Sequence, residues 1–87
     1  MDKLTMFYRA TCPYCRRAFG WINELQNANK DYANIEIETI DENVHPEIAE
    51  KYDYWYVPCF FLNGKKLFEG APEFSDIKGV LDSALNV

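Results

Sequence analysis

The sequence predicts an α/β domain: a four-stranded mixed sheet with helices on both faces, in the order β-α-β-α-β-β-α. Three observations predict it. An apolar run at residues 3–8 and an alternating run at 35–40 flank a long helical pattern. A strand–helix–strand unit of that kind calls for a parallel pair joined by a right-handed crossover. Asn63-Gly64 then stands between two further strand-like runs, a dipeptide that turns a hairpin and makes its strands antiparallel. Finally, residues 75–85 repeat apolar side chains at helical spacing, which adds a closing helix.

Each element has its own justification. Lys3 to Tyr8 (KLTMFY) is short, apolar and rich in β-formers, so it reads as a buried central strand bounded by Arg9-Ala10-Thr11. From Pro13 to about Asn29, Cys15, Ala18, Phe19, Ile22, Leu25 and Gln26 recur at three-and-four spacing, with Arg16, Arg17 and Glu24 off that stripe. Trp21 also lies off it and is expected at the surface; Asn27-Ala28-Asn29-Lys30-Asp31 closes the helix. Ile35 to Ile40 alternates apolar and polar, as a strand with one exposed face does. Asp41-Glu42-Asn43 offers caps for a short helix over Val44 to Tyr52, with Ile48 and Ala49 inward. Tyr54 to Pro58 is a loop, Cys59 to Leu62 (CFFL) a fully apolar third strand, and Lys65 to Glu69 a fourth. Gly70-Ala71-Pro72 breaks that strand, and Ser75 is the expected N-cap of a helix running to Leu85, with Ile77, Val80, Leu81, Ala84 and Leu85 inward.

Bulk properties narrow the function. Eighty-seven residues suit one domain spanning 1–87, and a hydrophobic fraction of 48% supports a packed core rather than disorder. A net charge of −5 argues against a nucleic-acid partner. The charge is unevenly placed: residues 1–30 carry five bases against two acids, and residues 31–87 four bases against twelve acids. Met1-Asp2-Lys3-Leu4 is not followed by a long apolar run, so no signal peptide is expected. No apolar stretch nears the roughly 18 residues of a membrane span. Three cysteines do not make a disulfide framework, and the cytoplasm is the expected compartment. A monomer is expected.

The chemistry centres on Cys12-Pro13-Tyr14-Cys15, in the one basic stretch of an acidic chain. Positions i and i+3 share a helix face, so two such sulfurs can bridge or stay as thiols. Proline fits the first helical position, where its missing N–H has no partner to lose. Cys12 is thus the residue at the helix start, with the amides of Tyr14 and Cys15 directed at its sulfur. Oriented amides and the positive end of the helix dipole favour a thiolate there. Cys15, one turn in, should be less exposed and less acidic. That asymmetry describes an attacking and a resolving thiol.

The tetrad, the preceding strand, and Val57-Pro58 ahead of an apolar strand together resemble the glutaredoxin family, dithiol CPYC type, on the thioredoxin fold. The resemblance covers essentially the whole chain. It implies that Cys12 attacks and Cys15 resolves, and that Tyr14 flanks a glutathione site. It implies that Arg9, three residues before Cys12, helps hold glutathione, that the Val57 backbone pairs with the glutathione cysteine, and that Pro58 is cis and faces the sulfurs. Glutaredoxins usually carry Thr before Val-Pro, where Tyr56 stands, and Gly-Gly plus an acid after the fourth strand. Here Gly70 alone matches, with Glu73 or Asp76 as the candidate acid, and this tail looks more like thioredoxin. Thioredoxin's Trp before its tetrad is replaced by Thr11.

The expected function is a glutathione-dependent thiol–disulfide oxidoreductase that reduces protein disulfides and glutathionylated proteins. No tightly bound cofactor is implied, and glutathione is the co-substrate. The alternatives are a small thioredoxin-like reductant recharged by a flavoprotein reductase, and an iron–sulfur or metal-binding module. Structural zinc takes four ligands, and beyond the tetrad only His45 and Cys59 remain, so no metal site is expected. Cys59 reads as a small buried hydrophobe rather than a regulatory thiol. Tyr54, Trp55 and Tyr56 suit either a docking platform beside the thiols or a cluster packing their loop. Arg16 and Arg17 read as a solvated helix face, with Arg16 in reach of an anion near Cys12.

Overall fold

The computed structural model describes residues 3–86; positions 1–2 and 87 of the domain expected over 1–87 lie outside the described residues. The elements are β1 (Leu4–Tyr8), α1 (Pro13–Ala28), α2 (Lys30–Ala33), β2 (Ile37–Asp41), α3 (Pro46–Ala49), β3 (Cys59–Leu62), β4 (Lys65–Glu69) and α4 (Phe74–Leu85). The sheet order is β2-β1-β3-β4, with β1 parallel to β2 and antiparallel to β3, and β3 antiparallel to β4.

The central strands are apolar throughout because both of their faces are covered. Side chains alternate across a strand, and the two resulting sets enter two cores. Leu4 and Met6 of β1 join Phe60 and Leu62 of β3 under α1, α2 and α4, against Ala18, Ile22, Ile77 and Leu81. Phe7 of β1 joins Cys59 and Phe61 of β3 and Ile40 of β2 on the opposite face, where Ile48 and Ala49 of α3 close the layer. Met6, Phe7, Cys59 and Phe60 are fully buried. The hairpin turns at Asn63 and Gly64 with φ of 52° and 86°, the left-handed pair that Asn-Gly supplies at small cost.

Five expectations are corrected. The stretch meant to close the first helix holds a second one. Asn29 ends α1 by donating its N–H to Leu25 O at 3.1 Å, and starts α2 by accepting the Asp31 N–H at 2.9 Å. That turn brings Tyr32 into the core, where its O–H donates to Asp82 of α4. Because the chain is still leaving α2 at Ile35, whose N–H reaches Tyr32 O at 3.1 Å, β2 begins only at Ile37. Trp21 is partly buried rather than a surface ring: it packs on the first core, edge-on to Phe74 at 6.2 Å.

The third helix is one turn, Pro46–Ala49, not the span 44–52. The Asp41 carboxylate accepts the Asn43 N–H at 2.9 Å and folds the chain into a turn, which leaves Val44 exposed. At the last helix Glu73, not Ser75, is the N-cap, and Asp76 turns back to accept its N–H at 2.8 Å.

Candidate active site

β1 delivers the chain to the end of the sheet and α1 starts there. Cys12 is the N-cap of α1, with extended backbone (φ −81°, ψ 117°), and Pro13 opens the helix. The Cys12 sulfur accepts the Cys15 N–H at 3.4 Å, one of the amides that a helix start leaves without an internal partner. From the other side the Cys12 thiol points to Val57 O at 3.8 Å. The Val57–Pro58 bond is cis, and Pro58 is buried. The tetrad and the loop before β3 therefore meet at one sulfur.

The two tetrad cysteines differ sharply in environment. Cys12 is partly exposed; Cys15 is 1% exposed. Burial first of all pushes the Cys15 thiol up to about 12, opposed by the Arg9 backbone and helped by the neighbouring Cys12 sulfur and the Glu42 charge. Cys59, fully buried at the start of β3, is likewise pushed up to about 12, mainly by desolvation. A thiol so placed behaves as a small hydrophobe.

Around these sulfurs the remaining expected residues take distinct places. Tyr14 is nearly half exposed beside Cys12, with the Arg17 guanidinium 5.9 Å from its ring centroid. Gly70 donates its N–H to Pro58 O at 3.1 Å and holds φ at 103°, a value that needs glycine. Arg9 donates through Nε to Glu42, and this pairing first of all holds its guanidinium more firmly protonated, with smaller help from Cys12 and Tyr54. Glu73 and Asp76, the candidate acids, are engaged with each other at the start of α4. The three aromatics of the loop part company. Tyr54 packs into the second core, stacked on Phe7 at 4.9 Å, while Trp55 and Tyr56 are exposed at 83% and 67%.

Two acids that the sequence did not single out as functional shape the site. Glu69, at the end of β4, accepts the N–H groups of Trp55 and Tyr56 at 2.8 and 3.1 Å and the Lys66 Nζ at 2.6 Å. It straps the loop that carries Val57. The lysine, then the two amides, hold its carboxyl down at about 2. Glu42 accepts both Arg9 and the Tyr54 O–H, the latter at 2.6 Å. In sequence both look like ordinary strand-end acids. The only available signal was that each stands at or just past the end of a strand pointing at the tetrad's end of the sheet. Among the described residues no group of three or more His, Cys, Asp or Glu could hold a metal ion, and no helix is long and apolar enough to cross a membrane.

Residues 4–67 match the glutaredoxin family. The chain belongs to the glutaredoxin family. It is also similar to curated thioredoxins of archaea. One is a probable thioredoxin of Methanothermobacter marburgensis, 38% identical over 71 residues that make 80% of each chain. Another is a probable thioredoxin of Methanothermobacter thermautotrophicus, 35% identical over 75 residues and 85% of each. In three dimensions it resembles the oxidised thioredoxin of Plasmodium falciparum, with a TM-score of 0.73 at 22% identity over 94% of this chain and 79% of that one. The fold is the thioredoxin-like α/β fold expected from the sequence. This glutaredoxin-family chain is a thiol–disulfide oxidoreductase of glutaredoxin/thioredoxin type.

Proposed function

We propose that the chain reduces protein disulfides through Cys12 and Cys15 and is recharged by a reductase protein in a reducing compartment, the cytoplasm. The observation that carries the dithiol mechanism is the pairing of a partly exposed Cys12, held by the Cys15 amide, with a buried Cys15 beneath it. The thiolate of Cys12 attacks one substrate sulfur, forming a mixed disulfide and releasing the other sulfur as a thiolate. Cys15 then attacks the Cys12 sulfur. Its proton goes to the departing substrate sulfur, and two electrons have passed from the dithiol to the substrate. Forming the mixed disulfide removes the Cys12 influences that help hold the Cys15 thiol protonated. No bound cofactor takes part.

The choice of donor rests on the far side of the site. Glutathione would need an acid beyond β4, and Glu73 and Asp76 are already committed to starting α4. A single Gly70 precedes them, and relatives covering 80% or more of the chain carry thioredoxin names. The second reading, glutathione as co-substrate with glutathionylated proteins as targets, is supported by the family match, by Tyr14 beside Cys12, and by the Val57 carbonyl against the sulfur. Paired assays separate the two. Turnover with thioredoxin reductase and none with glutathione plus glutathione reductase is expected; the reverse pattern would overturn the choice of donor.

A further inference from the structure

We propose that Glu42 sets the charge preference of this site: by holding the Arg9 guanidinium, it withholds that cation from anionic disulfides and leaves neutral and cationic ones at an advantage. The inference rests on the oxidoreductase reading and adds a residue that governs which substrates reach Cys12. Arg9 lies beside the tetrad: its carbonyl O accepts the Cys12 N–H at 3.2 Å, and the Cys12 sulfur adds, after Glu42, to what holds its guanidinium protonated. An approaching carboxylate would find it there.

Glu42 is not a passing surface partner. Its side chain is 15% exposed, against 55% for Arg9. Its carboxylate also accepts the Tyr54 O–H at 2.6 Å, and Tyr54 is fixed by stacking on Phe7 at 4.9 Å. Its backbone N–H reaches Tyr8 O at 3.0 Å. The acid is anchored at two points, side chain and backbone, and the arginine comes to it. A substrate carboxylate must compete with an intramolecular one that is already positioned and at high effective concentration. Glu42 touches no substrate and acts through Arg9; it is a positioning residue. The reaction that reads this is the first exchange: Cys12 thiolate and R–S–S–R give Cys12–S–S–R and RS⁻, with the rate steered by the charge on R.

The test mixes the reduced 87-residue chain with glutathione disulfide, which is anionic, or with cystamine, which is cationic. Oxidation is followed by acid quench and mass. Glu42→Gln removes the charge but keeps an oxygen for Tyr54. Its rate with glutathione disulfide, relative to cystamine, is expected to rise about 3- to 10-fold. The gain should shrink in high salt, as a charge effect does and a structural one does not. It should also vanish in Glu42→Gln combined with Arg9→Gln. A rate ratio unchanged by Glu42→Gln, or a gain that survives loss of Arg9, overturns the proposal. If Glu42→Gln does not fold, Glu42→Ala combined with Tyr54→Phe, which removes the carboxylate together with the hydroxyl it would leave unpaired, must move the ratio in the same direction, and an unchanged ratio overturns it equally. A wild type that reacts with both disulfides at a ratio indifferent to Glu42 sinks this inference alone. One that reacts with neither sinks the oxidoreductase reading as well.

Discussion

At Cys15 two effects act together: burial raises the thiol to about 12, and its backbone amide meanwhile donates to the sulfur of Cys12. One residue thus steadies the attacking sulfur and keeps its own proton in reserve. Cys12→Ser is expected to abolish disulfide reduction, whereas Cys15→Ser should still attack and accumulate the mixed disulfide, seen as an adduct by mass spectrometry. Absence of any adduct in Cys15→Ser would contradict the division of roles. Glu69 supports the same sulfur from the far side of Val57. Its carboxyl lies at about 2 in the fold against an ordinary 4.5, and Lys66 is the largest cause. A carboxylate lowered by folding stabilises above its unfolded value, and the gain is lost as pH falls through the folded one. Glu69→Gln is therefore expected to melt below wild type at pH 7, with the difference closing between about pH 4.5 and 2. A difference that stays constant across that range in thermal melts would count against the strap.

The elements that the sequence made legible are those whose code is local. Cys12-Pro13 marks a helix start, Asn63-Gly64 a hairpin, and runs such as CFFL a doubly covered strand, and each stands where expected. What was not legible depends on partners distant in the chain. Asn29 restarts a helix because Tyr32 can reach Asp82, fifty residues on. Trp21 leaves the surface because Phe74 meets it, and Ser75 yields its expected N-cap role because Glu73 pairs with Asp76. Glu42 and Glu69 were hidden for the same reason, since nothing in their neighbours shows which loop they will hold. Asn29 serves two helices, so Asn29→Ala should cost about 1–2 kcal/mol. Urea denaturation checks this, and a loss below a few tenths would mean that α2 is held by Tyr32 alone.

Across the whole molecule, β1 and β3 form a plate with a core on each face, and the active site lies where the plate, α1 and the loop before β3 meet. The second core is small, and Phe7 is its centre, touching Tyr52, Tyr54 and Phe61. Phe7→Ala is expected to cost about 3–5 kcal/mol. Because Tyr54 stacks on that ring and holds Glu42, the same change should also loosen Arg9. The asymmetry of the two tetrad thiols is what the fold exists to produce, and a single experiment reads it. The reduced protein is given one equivalent of iodoacetamide at neutral pH, and the label is located by peptide mapping. The label is expected on Cys12, with Cys15 and Cys59 left free; equal or preferential labelling of Cys15 would contradict the account.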